Sequence, residues 1–345
     1  MLVPIDDPPT DVISRVVFGR SRNLLSTASW DKVGSWRSRR HALQTLRIHE
    51  VDESNRGRAL GSCKWTSPVL DCAFLEDDRK VAFGDLEKNV NVFDLETGKV
   101  VTLGSHNAPV RCVQYHNKLN VVISGGWDKR LRAFDVRISA KRPVAEVEIY
   151  GKVHCMDLLN NTLVVGDSMK RVYIYDISRG FSGFATPETK DGVLKFQYRS
   201  IKCFPDNRGF ALGSIEGRVA WEYFSKQPET VSQQYAFKCH RKKTSPESDV
   251  AYAVNSIDFH PRFGTFVTGG ADGLVCAWDG LSRKRLWRTT SLPTAVSSVS
   301  FNSAGDKLAI AISDVFQLEG DPAARPCVLV RGINSDECKP RNSTK

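Results

Sequence analysis

Short apolar runs recur along this chain, alternating with polar positions and closed by small or turn-forming residues. Alternation of period two over a handful of residues predicts half-buried strands. The stretch Val122-Ile-Ser-Gly-Gly-Trp-Asp-Lys-Arg-Leu-Arg-Ala-Phe-Asp135 shows the unit most clearly. It reads as two strands around a tight turn that carries Asp128. Leu131 and Ala133 share one face of the second strand, and Arg132 and Phe134 the other. The glycines before the turn are expected to supply the backbone angles of a hairpin.

The unit repeats. An opening apolar strand occurs at Val12–Phe18, Val69–Phe74, Val110–Tyr115, Val153–Leu158, Ser200–Phe204, Val254–Phe259 and Val296–Phe301. Successive copies start 41 to 57 residues apart, most of them near the period of about 40–45 expected for a WD-type propeller blade. Second strands end in small residues, as at Lys80–Gly84 and Thr265–Gly270. Third strands end on an acid, as at Val90–Asp94, Val172–Asp176 and Val275–Asp279, the last closing in a true Trp278-Asp279 dipeptide. A four-stranded blade has two apolar faces that it cannot bury alone, and stacking blades around an axis buries both. The expected fold is therefore all-β: a seven-bladed WD-repeat β-propeller over residues 1–335. The last blade lacks a fourth strand of its own, and Leu2-Val-Pro-Ile5 is expected to close it.

Departures from the repeat also carry information. Asp128 and Asp272 sit at the same interval before their closing acid, where a carboxylate can hold the turn and orient a neighbouring His or Ser/Thr. Glu87 and Met169 stand at that interval in two other copies, so the tether is expected to be incomplete there. The first blade matches the turn at Ser29-Trp30-Asp31-Lys32, but its third strand is delayed to Thr45–Val51. The intervening insert, about 33–44, interleaves Trp36 with Arg37, Arg39 and Arg40. It reads as a solvated loop, or as a nucleic-acid contact made by charge and stacking. A polar loop is expected at about 242–251, and a disordered tail at 336–345.

Composition narrows the class. The chain has 345 residues, is 41% hydrophobic, and carries a net charge of +10. That balance favours acidic partners. The N-terminus has no signal-peptide pattern, and no apolar run approaches the roughly 18 residues of a membrane span. An intracellular protein is expected. Nine cysteines, an odd count without a CxxC pair, read as reduced structural thiols. No GxSxG, P-loop, HExxH or dinucleotide fingerprint occurs, so a non-enzyme without cofactor or metal is expected. His106 lies just before a first strand, where a structural role is expected. Cys239-His240 lacks the further ligands that a zinc site needs.

Several segments resemble a particular family. Phe196–Pro205, Leu212-Gly-Ser-Ile-Glu-Gly-Arg-Val-Ala220 and Tyr235-Ala-Phe-Lys-Cys-His-Arg241 are similar to the WD-repeat member of the Bub mitotic checkpoint family. Its sister family is the messenger-RNA export factor of the nuclear pore. His260-Pro-Arg-Phe-Gly-Thr265 and Lys339-Pro-Arg-Asn342 lean toward that sister, while Pro68–Phe74 and Pro293–Phe301 favour the checkpoint member. The resemblance implies a monomeric scaffold in the nucleus, and at kinetochores in mitosis. It would bind the acidic GLEBS motif of spindle-checkpoint kinases and scaffolds, and a phosphorylated kinetochore scaffold through another basic surface. Under the alternative, the partners are a nucleoporin GLEBS motif and RNA. The resemblance also implies that Arg199 and Arg218 meet the motif's glutamates, with Trp30 and Trp127 as exposed aromatic anchors on the same face. The two arginines are expected at corresponding ends of neighbouring strands. The competing reading packs the tryptophans between blades and pairs the arginines with acids such as Glu216.

Overall fold

The computed structural model describes residues 2–31, 44–138, 141–184, 187–245, 248–313 and 325–341. Seven four-stranded antiparallel sheets form a ring. Blade 1 comprises Ile13–Phe18, Leu24–Ser29, Gln44–Val51 and Gly57–Lys64. Blade 2 comprises Val69–Phe74, Lys80–Asp85, Asn89–Asp94 and Val100–Ser105. Blade 3 comprises Val110–His116, Val121–Gly126, Arg130–Asp135 and Ala145–Glu148. Blade 4 comprises Val153–Leu159, Thr162–Asp167, Arg171–Asp176 and Glu188–Asp191, and blade 6 Val254–Phe259, Phe266–Gly270, Val275–Asp279 and Lys284–Arg288. In blade 5 the strands are Tyr198–Cys203, Gly209–Ser214, Arg218–Tyr223 and Tyr235–Lys238. Blade 7 has Val296–Phe301, Lys307–Ile312 and Cys327–Gly332, and Leu2–Pro4 supplies its outer strand, with Val3 opposite Val330. The predicted propeller and its N-terminal closure are thus both observed. The basic insert expected at about 33–44 falls almost wholly outside the described residues.

The seven opening strands stand side by side around the axis, each touching the next. Their alternating apolar residues fill the spaces between blades, so the core is a set of inter-blade clusters. One example packs Leu24, Ala28 and Leu46 of blade 1 against Val69, Phe74 and Phe83 of blade 2. Eight of the nine cysteines are buried, Cys327 is partly exposed, and all are free thiols. Burial pushes the thiols of Cys72 and Cys112 up to about 12, which keeps them inert.

An opening strand has one ladder edge with no strand partner, because the next blade's opening strand runs beside it without pairing. Side chains satisfy those groups instead. Asp71 accepts from Val113 N–H at 2.9 Å, Asp157 from Cys203 N–H at 2.8 Å and Asp258 from Phe301 N–H at 2.7 Å. Ser298 accepts from Val16 N–H at 3.1 Å across the closure between blades 7 and 1. Ser14 donates to the carbonyl of Val69 at 2.6 Å, and Ser200 to that of Val254 at 3.0 Å. Within the channel, Lys202 bridges Asp157 at 3.1 Å and Asp258 at 3.5 Å, and Arg15 pairs with Asp71 at 3.4 Å.

The turn tethers differ from expectation. In blade 3, His106 bonds Asp128 at 2.9 Å and Ser124 at 2.8 Å, as its position before a first strand suggested. In blade 6, His240 bonds Asp272 at 2.8 Å and Thr268 at 2.7 Å, and Trp278 donates to Thr268 at 2.9 Å. Glu87 and Met169 do not leave their turns untethered. There the acid lies two residues earlier. Asp85 accepts from Trp65 Nε1 at 2.8 Å, and Asp167 from the Tyr173 hydroxyl at 2.9 Å. Gly126 serves space rather than angle: a Cβ there would run into His106 and Asp128, while the left-handed residue of the turn is Lys129 at φ 64°.

Two peripheral segments also differ. The loop expected at 242–251 carries a small hairpin of its own, Arg241–Lys243 paired with Asp249–Ala251. The tail expected to be disordered from 336 begins in a helical turn, Ser335–Cys338, capped by the Asn334 side chain and anchored by the buried Cys338. Its carbonyl at Cys338 accepts from Thr265, and Arg341 N–H reaches Asp279 at 3.0 Å, so the segment lies across blade 6.

At the end of the ring opposite the His106 turn, buried Asp78 of blade 2 clamps the loop of blade 1. Its carboxylate accepts from the N–H groups of Arg20, Ser21 and Arg22 at 2.8, 2.7 and 2.9 Å. Asp78→Ala strands these donors. It is expected to cost about 3 kcal/mol, read as a lower urea midpoint with an unchanged slope.

Candidate functional site

Every opening strand carries a β-bulge at its second residue. A bulge places two residues against one on the partner strand and re-aims a side chain. The seven bulge residues are Ser14, Leu70, Arg111, His154, Arg199, Asn255 and Ser297, one from each blade. All seven line one cavity of about 160 Å³ at the axial mouth.

The turns between second and third strands add a second ring at the same end. The first residue of each turn donates its N–H to the carbonyl just before the opening strand: Trp30 to Val12 at 2.9 Å, Trp127 to Pro109 at 2.9 Å and Ile215 to Gln197 at 3.1 Å. Ser168 and Ala271 occupy the same position in blades 4 and 6. The two tryptophans therefore stand where other blades have smaller residues. Both line the axial cavity, and both are half-buried rather than exposed. Part of each residue therefore remains open to solvent at the mouth.

Trp30, Trp127 and Arg199 thus meet in one cavity, with Arg111 and His154 beside them. Arg218 does not line it. The strands of Arg199 and Arg218 are not neighbours, because Gly209–Ser214 lies between them. Arg218 starts the third strand of blade 5, at the same end of the ring, opposite Lys238. It pairs with Glu216 at 3.5 Å, as the competing reading expected of the arginines. Its side chain keeps 36% exposure, so the rim guanidinium remains open to an incoming carboxylate.

Sequence reasoning missed Arg111 and His154. The signal was available: both are the second residue of an opening repeat strand, in register with Arg199. Their grouping has an electrostatic cost. Burial, then the neighbouring Arg111, pushes Arg199 down to about 10, and Arg199 reaches Asn255 at 3.3 Å. Burial lowers His154, and Arg111, Arg199 and Lys152 lower it further against an opposing pull from Asp167. The imidazole is therefore largely neutral at pH 7. Cationic crowding around a cavity favours an anionic occupant, which relieves the repulsion. An Arg fork takes a carboxylate bidentately, and a half-buried Trp supplies apolar contact beside it. Among the described residues, no group of His, Cys, Asp or Glu is placed to hold a metal.

Comparisons with known proteins agree with the propeller fold. The family model "WD domain, G-beta repeat" matches residues 98–135 and 234–279. The Mitotic checkpoint protein bub3 of Dictyostelium discoideum is 39% identical, over 96% of this chain and 94% of that protein. The Mitotic checkpoint protein bub-3 of Caenorhabditis elegans is 35% identical over 97% and 94%. The Poly(A)+ RNA export protein of Schizosaccharomyces pombe is 32% identical over 98% and 92%. A solved structure of U3-55K shares the fold, with a TM-score of 0.74, 15% identity, and coverage of 96% of this chain and 98% of that one.

The Trp127 turn depends on Asp128. Burial alone would raise its pKa, but bonds from His106 and the Asn107 N–H, with Arg132 nearby, outweigh burial and hold it below the usual carboxylate value. A depressed carboxyl stabilises the fold fully above its unfolded pKa, and that contribution disappears as pH falls through the folded value. Asp128→Asn is expected to cost about 1–2 kcal/mol at pH 7. The gap from the unsubstituted protein should narrow as pH falls below about 4, measured as denaturation midpoints across pH.

Proposed function

The chain belongs to the Bub family of WD-repeat mitotic checkpoint proteins, and we propose that it acts there as a docking scaffold without catalysis of its own. Its ligand on this reading is an acidic GLEBS segment of a spindle-checkpoint kinase or scaffold. The segment crosses the axial mouth, and binding brings its bearer to kinetochores in the mitotic nucleus. The observation that carries the reading is the meeting of Trp30, Trp127 and Arg199 around one cavity that Arg111 makes still more cationic.

Each residue has a separate task. Arg199 receives a carboxylate near the axis, where partial burial strengthens the charge-assisted bond. Arg218, on the rim of the same blade, receives a second one by exchanging Glu216 for the ligand's acid. Trp30 and Trp127 clamp the apolar part of the segment from blades 1 and 3. Because the opening strands are bonded blade to blade, the mouth is preorganised and little ordering is needed on binding.

A second reading, RNA export at the nuclear pore, is supported by the export relative at 32% identity. The higher identities of the checkpoint relatives, 35% and 39%, favour the first. Imaging of the tagged protein separates the two. Foci at kinetochores in mitosis are expected, whereas a persistent nuclear rim would support the second reading.

Titration calorimetry with a synthetic GLEBS peptide tests the residue assignments. Arg199→Glu and Arg218→Glu each place a carboxylate against a carboxylate. Each is expected to weaken binding about a hundredfold or more, with the denaturation midpoint little changed for the exposed Arg218. Unchanged affinity in both variants would remove the mouth from consideration as the docking surface.

A further inference from the structure

The hairpin Arg241–Lys243 with Asp249–Ala251 is a sheet of its own, joined to no blade. It rises from the loop between blades 5 and 6, at the end of the ring that carries the axial mouth. Arg241 Nη2 fixes its root by donating to the carbonyl of Glu216 at 2.8 Å, and Glu216 in turn pairs with Arg218. Lys242 and Lys243 continue outward on the rising strand and are exposed. Together with Lys238 and Arg218 they extend the cationic rim away from the axis.

The described residues between the two strands carry hydroxyls. Thr244, Ser245 and Ser248 are all exposed. Ser248 Oγ lies 2.8 Å from both Thr244 Oγ1 and Ser245 Oγ. Ser248 N–H donates to Ser245 Oγ at 3.1 Å. None of these bonds reaches a blade, so chemistry at the tip leaves the propeller untouched. In the sequence, Ser245 follows Arg241-Lys-Lys-Thr244 and precedes Pro246. Ser245-Pro246 is the dipeptide that proline-directed Ser/Thr protein kinases recognise, and Ser245 itself is exposed.

We infer that Ser245 is a phosphorylation site and that its phosphate weakens the capture of acidic segments by the adjoining rim. ATP is the phosphoryl donor. Ser245 Oγ forms a bond to the γ-phosphorus, the bond from that phosphorus to the β–γ bridging oxygen breaks, ADP leaves, and the hydroxyl proton passes to the kinase's base. The product carries nearly two negative charges at pH 7. Those charges either pair with Arg241, Lys242 and Lys243 or face the incoming acids directly. Both outcomes lower the positive potential beside Arg218. The tip stands roughly 10 Å beyond the rim, about one Debye length in 0.1 M salt. The effect is therefore moderate and sensitive to salt.

The second half of the inference rests on the docking reading above; the modification itself does not. The test treats the full chain with a purified proline-directed kinase and ATP, locates phosphate by mass spectrometry, and measures binding of the GLEBS peptide by calorimetry. Phosphate on Ser245, absent from Ser245→Ala, is expected. A loss of affinity of about three- to fivefold at low salt, shrinking at high salt, is expected with it. Ser245→Glu should give a smaller loss in the same direction. Absence of phosphate from Ser245 in the folded protein overturns the site. Phosphorylated protein that binds with unchanged affinity overturns the control. If the unmodified protein fails to bind the peptide, the docking reading and the control fall together, while the mass spectrum still decides the site.

Discussion

The ring is held by how seven opening strands satisfy edges that have no strand to pair with. An unpaired main-chain N–H or carbonyl in a protein interior costs free energy comparable to a lost hydrogen bond. Here short polar side chains from the adjacent blade fill the role. Asp71, Asp157 and Asp258 serve the steps from blades 2 to 3, 4 to 5 and 6 to 7. Ser14, Ser200 and Ser298 serve blades 1 to 2, 5 to 6 and 7 to 1, and Gln114 reaches the carbonyl of Met156 from blade 3 to 4. The apolar clusters drive blade stacking, but they are not directional. These bonds fix the rotation and height of one blade against the next.

That constraint also makes the site. Most side chains that stitch the ring come from regular positions of the opening strands, while the bulged residue at the start of each lines the mouth; Ser14 and Asn255 do both. Inter-blade bonds and the lining of the mouth thus draw largely on different residues of one strand. Asp157 and Lys202 belong to the channel, whereas His154 and Arg199, three residues earlier in each case, belong to the mouth. A change at a bulge alters what the mouth presents, and at Ser14 or Asn255 it also removes a bond between blades.

Much of this was legible in the residues. Seven apolar starts at blade spacing, small residues before the turn and a closing acid were enough for the propeller, and Leu2–Pro4 was recognisable as the missing strand. Trp30 and Trp127 were named through the family resemblance; other blades hold Leu86, Ser168, Ile215 and Ala271 at their turn position. Arg111 and His154 went unnoticed, because a bulge is a property of pairing and leaves no mark on a single repeat; aligning the seven starts exposes it. Asp85 and Asp167 were missed by holding the tether acid to one interval. Where Trp65 or Tyr173 takes the imidazole's place as donor, the carboxylate belongs two residues earlier. The final helical turn was hidden by its charged neighbours, since its hold depends on the burial of one cysteine.

The pairing of Leu2–Pro4 with Cys327–Gly332 also orders events during synthesis. A ribosome makes this outer strand of blade 7 more than three hundred residues before its partner. Until then blade 7 has an open flank and the ring a seam. The early segment must stay unpaired while six blades assemble. Its proline at position 4 and short length suit that wait, because neither encourages pairing with a wrong edge. Sealing of the seam is the step that turns a curved stack of sheets into a closed ring.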